Sequence, residues 1–270
     1  MSNGPTDPGP VSIADRTGTA PSGRGFGVDV GGSGVKGGIV DLATGELVGE
    51  RHKIETPQPS TPQAVAETVR AIVDHFEWTG DVGITLPCVV TGGVARTAAN
   101  VDQAWIGTDA GALFSEHLGG RAVTVLNDAD AAGIAEDKFG GGRDTKGVVI
   151  LLTFGTGIGS AILQNGVLLP NTELGHMEVD GKEAEHRAAS RVKEENDLSY
   201  KQWAKEVSRV LERIEDLFWP DLFIAGGGIS RKAEKWIPML TNRTPVQPAT
   251  LRNTAGIVGA ALASTSRVAP

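Results

Sequence analysis

The stretch from Asp29 to Lys36, DVGGSGVK, combines a carboxylate, a glycine turn and a lysine, which are groups that bind phosphate. Glycines let backbone N–H groups approach phosphate oxygens. A Walker loop would need Ser or Thr after Lys36, and a dinucleotide fingerprint would need a helix there. The chain continues instead as GGIVDL, which favours a strand. We therefore predict a hairpin with Asp29 pointing into its phosphate-binding turn, Gly31-Gly32-Ser33, and an ordinary tight hairpin is the alternative.

Two further glycine turns follow apolar runs. LLTFGTGIGSAI again suggests strand, turn and strand, in which Thr153 and Thr156 supply hydroxyls and Gly155 and Gly157 allow close backbone approach. LFIAGGGIS ends a strand and opens a helix, and Gly226–Gly228 leave room for a flat group. Each turn alone is weak evidence. Their order along one chain favours a protein that binds a phosphate donor.

Asp128 is the candidate general base. It follows the apolar run VTVL in VTVLNDADAAG, where a strand ends and a helix begins. An aspartate there could simply cap the helix, or it could take a proton from an attacking alcohol. The polar residues on both sides of Asp128 in the sequence are of the types that bind sugar hydroxyls. They are Asn100, Asp102 and Trp105 upstream, Asn127 beside it, and Glu173, His176 and Glu185 downstream.

These residues must be positioned by an α/β fold with mixed sheets, because short apolar runs alternate with helical patterns. We predict two lobes. Residues 25–126 form a small lobe, residues 127–252 form a large lobe, and a C-terminal helix over residues 253–265 joins the small one. Residues 1–24 are rich in Pro, Gly and Ser without an apolar segment, so they predict a disordered leader rather than a signal peptide.

Three helices are predicted from local signals. Ser60-Thr61-Pro62 gives a cap followed by proline at the first helical position. A second helix covers residues 199–219, ends at Pro220 and has an apolar face. That face comprises Trp203, Val207, Val210, Leu211, Ile214, Leu217 and Phe218. The small residues of NTAGIVGAALAS predict a third helix that packs closely against the body.

Composition narrows the function further. The net charge of −8 argues against nucleic-acid binding, so an anionic substrate needs a local basic patch. No apolar run is long enough to span a membrane. Cys88 is the single cysteine, which excludes internal disulfides, and its apolar neighbours favour a buried thiol. We therefore expect a cytoplasmic protein.

The segments DVGGSGVK, LNDADAAG, LLTFGTGIGSA, ELGH and IAGGGIS, in this order, resemble the sugar kinases of the repressor/open-reading-frame/kinase family. That family belongs to the actin–hexokinase superfamily. The resemblance covers the chain from about Gly25 to its end. TAANVDQAWIGT, GKEAEHRAAS and WPDLFIAGGGISRKAEKW are most similar to members that use polyphosphate as phosphoryl donor.

The resemblance implies a two-lobed actin/hexokinase-like (ribonuclease H-like) fold and phosphorylation of the 6-hydroxyl of glucose in a homodimer. Polyphosphate and ATP would be donors, and mannose is a possible second acceptor. Asp128 would be the base, and Asp29 would act near Mg²⁺ through water. The sugar hydroxyls would be bound by Asn100, Asn127, Glu173, His176 and Glu185. The first two glycine turns would hold the phosphoryl groups, and Gly226–Gly228 would border a nucleoside.

One segment departs from the family pattern. Many relatives follow ELGH with three cysteines that bind zinc together with the histidine, whereas this chain has MEVDGKEAEHRAAS. We therefore predict no zinc. The departure also loosens the alignment, since the last glutamate of the family could match Glu185 or fall opposite His186. We favour Glu185.

The basic patch expected for polyphosphate is predicted beside the third glycine turn. Arg231 and Lys232 follow this turn directly, and Lys235 and Arg243 lie further along. A solvated surface is the alternative. A sugar-responsive repressor would need a DNA-binding segment ahead of the sugar domain, and a non-catalytic sensor would typically lose Asp128. Acetate kinases and chaperone ATPases lack the ELGH segment, which leaves an ATP-preferring gluco/mannokinase as the main alternative.

Overall fold

The structure is a computed structural model, and it describes residues 23–99 and 101–266. Its first sheet has the strand order β3-β2-β1-β4-β7. The first three strands are antiparallel, and β4 and β7 continue the sheet in parallel. A separate ribbon pairs β5 with β6. The strands are β1 (Arg24–Gly31), β2 (Gly34–Asp41), β3 (His52–Ile54), β4 (Val82–Leu86), β5 (Val90–Thr91), β6 (Val94–Ala95) and β7 (Val123–Asn127).

The second sheet repeats this topology. Its order is β10-β9-β8-β13-β14, with an antiparallel trio followed by two parallel strands. In each sheet the first two strands form the hairpin that carries a predicted phosphate-binding turn. The strands are β8 (Val148–Phe154), β9 (Ile158–Gln164), β10 (Val167–Leu169), β13 (Leu222–Gly226) and β14 (Val246–Pro248), with β11 (Glu178–Val179) and β12 (Lys182–Glu183) in a small ribbon. The predicted mixed α/β fold is thus confirmed.

Helices cover both sheets, and short 3-10 helices connect them. The α-helices are α1 (Pro62–His75), α2 (Ala110–His117), α3 (Asp128–Phe139), α4 (Ala184–Ala188), α5 (Ser190–Glu195), α6 (Tyr200–Phe218) and α7 (Ala255–Ser266). The 3-10 helices cover Gln103–Trp105, Leu174–His176, Gly228–Lys235, Ile237–Met239 and Arg252–Thr254. Among the described residues, no helix has the length and apolar character needed to cross a membrane.

The predicted helix starts are confirmed. The side chain of Thr61 caps α1 by accepting from the N–H of Ala64, and proline occupies the first turn. Ser199 caps α6 in a reciprocal box with Gln202. The apolar face of α6 ends earlier than predicted, because Leu217 and Phe218 are 51% and 38% exposed. The other five residues of the predicted face, Trp203, Val207, Val210, Leu211 and Ile214, are buried.

Helix α7 packs directly on the first sheet and on α3, as its small residues predict. A β-carbon at Gly83 of β4 would overlap the carbonyl oxygen of Ala260, and one at Gly259 would overlap that of Ala131. Glycine at these two positions therefore lets a strand and a helix approach α7 at backbone distance. The helix lies in a core cluster with residues of β2, β7 and α3.

The main cores lie on the other faces of the two sheets. One cluster joins the first sheet to α1 and α2, and another joins the second sheet to α4 and α6. Cys88 belongs to the first cluster and is buried, as predicted. Of the predicted leader, only Gly23 and Arg24 are among the described residues, and Arg24 begins β1. The boundary near Leu126 and the assignment of α7 to the first lobe stay predictions.

Candidate active site

Asp128 is the first residue of α3, where β7 ends in the cleft. The helix cap is supplied by its neighbour: Asn127 Oδ1 accepts from the N–H groups of Ala129 and Asp130 at 2.8 and 3.2 Å. The amide nitrogen of Asn127 donates to the Cys88 carbonyl at 3.1 Å. Because Asn127 caps the helix, one oxygen of Asp128 is free of cap hydrogen bonds, while Oδ1 also accepts from the N–H of Ala129.

The environment of Asp128 raises the pKa of its carboxyl group. Its pKa is raised to about 7, first because the surrounding protein removes hydration and second because Asp29 is negatively charged. The side chain still meets water through the mouth of the cleft. A carboxylate that titrates near neutral pH and faces a cavity suits general-base chemistry.

A cavity of about 440 Å³ collects half of the predicted sugar and phosphate residues. It is lined by residues of both halves of the chain, with Pro87, Cys88 and Val89 on one side and the second glycine turn on the other. Among the predicted site residues it contains Asn127, Asp128, Thr153, Gly155, Thr156, Gly157, Glu173, His176, Glu185 and Gly227. Asn100 lies outside the described residues.

Glu185 lies over the second glycine turn. Its Oε2 accepts from the N–H of Ile158 at 3.4 Å, and a β-carbon at Gly157 would overlap its carboxylate. Its Oε1 lies 3.9 Å from Nε2 of His186. The glutamate faces the cavity and the histidine does not line it. Of the two residues, Glu185 is thus the one placed to contact a ligand in the cavity, and its role stays a prediction.

Glu173 and His176 lie on the wall of the cavity at the 3-10 helix Leu174–His176. Burial raises the pKa of Glu173, while the His176 ring opposes this rise and the charge of Glu185 adds to it. His176 Nδ1 lies 3.4 Å from Oε2 of Glu183, a residue that the sequence analysis missed. Ligand atoms of His176, Glu183 and Glu185 lie within 4.8 Å of one another, so these three groups could hold a cation.

Asp130 was also missed. It is fully buried behind Asp128, and its Oδ2 accepts from the N–H of Asn171 at 2.8 Å. Its Oδ1 has no partner among the described residues. Its pKa is raised to about 7, mainly by burial. The carboxyl therefore fixes the loop that leads to Glu173, and the alternation Asp128-Ala129-Asp130 is the only sequence signal that could have indicated it.

Asp29 anchors the first glycine turn. Its Oδ1 accepts from the hydroxyl of Thr85 at 3.0 Å, and its Oδ2 lies 3.4 Å from Lys36 Nζ. The hydroxyl of Thr56 donates to the Gly31 carbonyl and holds the hairpin from the other side. Gly32 and Ser33 are exposed at the tip. The turn does not line the large cavity, but the charge of Asp29 contributes to the raised pKa of Asp128.

A second cavity of about 120 Å³ lies at the third glycine turn. Its lining includes Gly226, Gly227 and Gly228, and it shares Thr153 and Gly227 with the large cavity. A donor in the small cavity and an acceptor in the large one would therefore meet at these shared residues.

The predicted basic residues divide into two groups. Arg231 lines the small cavity, whereas Lys232 is exposed and lines neither cavity. Lys235 Nζ lies 5.9 Å from the ring of Tyr200, and Arg243 stacks 4.0 Å from the ring of Trp219. Of these four residues, only Arg231 lines the small cavity.

Comparisons with known proteins identify the family of the chain. Residues 25–187 match the ROK family model. The chain is 63% identical to a polyphosphate glucokinase of Mycobacterium tuberculosis (strain ATCC 25618 / H37Rv), over 96% of this chain and 97% of that protein. It is 61% identical to a polyphosphate glucokinase of Mycobacterium leprae (strain TN), over 94% of this chain and 79% of that protein.

The fold is also similar to those of solved sugar-kinase structures. An inorganic polyphosphate/ATP-glucomannokinase from Arthrobacter sp. strain KM superposes with a TM-score of 0.85 at 47% identity, covering 91% of this chain and 99% of that one. A ROK family glucokinase from Streptomyces griseus, solved with glucose and AMPPNP, superposes with a TM-score of 0.75 at 24% identity, covering 90% of this chain and 99% of that one. The chain belongs to the ROK family.

Proposed function

We propose that the protein phosphorylates glucose at its 6-hydroxyl, with inorganic polyphosphate and also ATP as donors. The observation that carries the proposal is the cavity in which Asp128, Glu173 and Glu185 face the second glycine turn, in a chain 63% identical to a polyphosphate glucokinase. Two cavities that meet at Thr153 and Gly227 suit an acceptor and a donor aligned for transfer.

The chemistry of this chain is proton transfer and alignment. Asp128 takes the proton of the sugar 6-hydroxyl while the oxygen of that hydroxyl forms a bond to the phosphorus of the donor. The bond from that phosphorus to the bridging oxygen of the donor breaks, and the electron pair leaves with the shortened donor. Sugar hydroxyls are bound by Glu173, His176 and Glu185, with Asn127 behind Asp128. We assign Asn100 to the same role.

The donor is held by backbone N–H groups of the glycine turns, with Lys36 and Arg231 as nearby cations. Gly226–Gly228 border the nucleoside when ATP is the donor. Mg²⁺ would be held beside the first turn by Asp29, with Asp128 as the second nearby carboxylate, since the negative charge of Asp29 raises the pKa of Asp128. When bound, Mg²⁺ neutralises phosphate charge, and we place it near Asp29 through water.

We propose that zinc plays no part, because a structural zinc site uses four ligands that include thiolates, whereas the described cluster offers the three groups of His176, Glu183 and Glu185. Purified protein should contain no stoichiometric zinc, and a zinc-selective chelator should leave activity and folding unchanged. Removing Mg²⁺ should abolish activity. One zinc per chain by metal analysis would contradict the proposal and would point to those three residues as ligands.

The function is tested by a panel of donors and acceptors. Polyphosphate, ATP and GTP are each supplied with glucose, mannose, fructose and N-acetylmannosamine at fixed free Mg²⁺, and the phosphorylated sugar is measured. We expect glucose to be phosphorylated from polyphosphate, and from ATP less well at low concentration. Phosphorylation from ATP alone would make the protein a plain glucokinase.

A second candidate function is a gluco/mannokinase that prefers ATP. The observation that favours mannose as an acceptor is the similarity to the Arthrobacter glucomannokinase. Glucose and mannose differ only at the 2-hydroxyl, so the same panel decides through the ratio of kcat/KM for the two sugars. We also propose a homodimer in the cytoplasm, and sedimentation velocity would test its assembly state.

A further inference from the structure

Lys53 of strand β3 and Arg51, which directly precedes the strand, are two exposed cations. His52 lies between them and stacks on His75 of α1, with ring centroids 3.9 Å apart. Because successive side chains of a strand point to opposite faces, Lys53 points away from α1. In the register with β2, Lys53 lies opposite Lys36, which shares the sheet face of Asp29. Lys53 therefore lies on the sheet face that carries Asp29.

Lys53 reaches the first glycine turn. A β-carbon at Gly34 would overlap Cε of Lys53 and would lie 3.2 Å from its Nζ. The absence of a side chain at Gly34 thus gives the lysine a place against the end of the hairpin. The ammonium group lies beside the turn proposed to hold the transferred phosphoryl group.

Arg51 reaches the other end of the donor region. Its Nη1 donates to the Asn253 carbonyl at 3.2 Å, and Arg231 Nη2 donates to Oδ1 of the same asparagine at 2.9 Å. Asn253 and Arg252 line the small cavity together with Arg231. Asn253 therefore holds both Arg51, which precedes β3, and Arg231, which follows β13, at the rim of the small cavity.

These cations lack carboxylate partners. Among the residues that the structure describes, no ion pair within 4.0 Å involves Arg51, Lys53, Arg231 or Arg252. All four are exposed. Four unpaired cations along one edge of a protein with net charge −8 are a local reversal of its charge. Lys53 lies beside the first glycine turn, and the three arginines line the small cavity or contact its lining residue Asn253.

We propose that Lys53, Arg51, Arg252 and Arg231 form a polyphosphate track that crosses the cleft from the first glycine turn to the rim of the third. This proposal rests on the proposed function. It identifies the residues that bind the part of the polyphosphate chain beyond the phosphoryl group that is transferred. A nucleotide ends in its nucleoside at the small cavity, whereas a polyphosphate continues along the rim and contacts Arg51. Arg51 is thus a specificity residue for long donors, and Lys232 is not on the track.

The test is binding of labelled long-chain polyphosphate to the full chain without glucose, together with KM values for long polyphosphate, tripolyphosphate and ATP. Arg51→Gln removes the charge and keeps much of the length, while Arg51→Lys keeps the charge. Arg213→Gln is the matched control, because Arg213 is exposed on α6 and has no ion pair among the described residues. All variants are checked for wild-type circular dichroism and glucose binding.

We expect Arg51→Gln to weaken binding of long polyphosphate about five-fold and to raise its KM by a similar factor, which is the scale of one charge-assisted contact. The KM values for tripolyphosphate and ATP should rise less. The salt dependence of binding should become shallower, because fewer counterions are displaced. Arg51→Lys should recover part of the affinity, and Arg51→Gln with Arg252→Gln should lose more.

Unchanged binding and salt dependence in Arg51→Gln would overturn the track. So would an equal loss in Arg213→Gln, which would indicate a general charge effect, or an equal rise in the KM for ATP. The wild type separates this proposal from the function. If the wild type binds long polyphosphate through Arg51 but transfers no phosphoryl group from polyphosphate to glucose, polyphosphate is not the donor, while the proposed binding track still holds.

Discussion

At the scale of single residues, the base is defined by the division of labour between Asn127 and Asp128. The sequence alone allowed Asp128 to be a helix cap, but Asn127 makes both cap hydrogen bonds. This detail could not be predicted from the residue types, since Asn and Asp are about equally good caps. What decides it is the position of the strand end, which places Asn127 at the cap and Asp128 one residue later.

We predict that Asp128→Asn lowers turnover by about 10²–10⁴-fold while glucose binding changes only a few-fold, because the amide keeps the shape but cannot accept the proton. In the wild type, the carboxyl whose pKa is raised to about 7 becomes a competent base only as it loses its proton. Activity from saturating donor should therefore rise with pH through about 7 and then level off. A variant with a tenth or more of wild-type turnover would rule out Asp128 as the base.

Asp130 gives a prediction about stability rather than chemistry. Its pKa is raised to about 7 in the folded protein, against about 4 in an unfolded chain. The unfolded chain loses this proton first, so the contribution of Asp130 to stability falls as pH rises from about 4 to 7 and stays low above that. Asp130→Asn can still accept from Asn171 and carries no charge, so it should weaken this pH dependence.

The measurement is the free energy of unfolding in urea at several pH values for wild type and variant. Asp216→Asn, at an exposed position on α6, is the control and should leave the curve parallel to wild type. A variant whose stability falls between pH 4 and 7 as steeply as that of the wild type would contradict the assignment.

At the scale of elements, the sequence was most informative where signals are local. The capped starts of α1 and α6 and the two glycine hairpins depend on residues only a few positions apart, and all of them form as predicted. The exposure of Leu217 and Phe218 was missed because helical periodicity shows which face is apolar but not where the covering element ends.

The packing of α7 leads to a prediction about an element. Gly83→Ala should destabilise the protein by about 1–3 kcal/mol, because its β-carbon would overlap the Ala260 carbonyl and must displace backbone. Gly111→Ala on α2 is the matched control, since its nearest contacts, to Asp109 and Gly93, are ordinary at 3.5 and 3.9 Å. It should be neutral or slightly stabilising, because alanine favours helix. Equal urea midpoints for the two variants would contradict the close packing.

At the scale of the whole molecule, the site depends on contacts between distant parts of the chain. Asn171 accepts from the N–H of Val90 at 2.8 Å and donates to its carbonyl at 2.7 Å, although the two residues are 81 positions apart. The backbone of Asn171 meanwhile donates to Asp130, and Glu173 follows two residues later. Such pairs leave no periodic signal, which is why the sequence indicated residues that line the cavity but neither the buried Asp130 nor the contact between Asn171 and Val90.

We predict that Asn171→Gly raises the KM for glucose about ten-fold with a smaller effect on the KM for ATP. The variant keeps the positive φ of 57° at this position but leaves both polar groups of Val90 without their partner, which costs about 1–3 kcal/mol. The loop to Glu173 is then held from one side only. Asn165→Gly is the matched control, because Asn165 has φ of 51° and its side chain bonds only to the N–H of Gly147 in an exposed turn. Both variants should lose stability in urea, but only Asn171→Gly should lose glucose affinity by calorimetry. If the two variants bind glucose equally well, the contact between Asn171 and Val90 contributes to stability and does not position the sugar site.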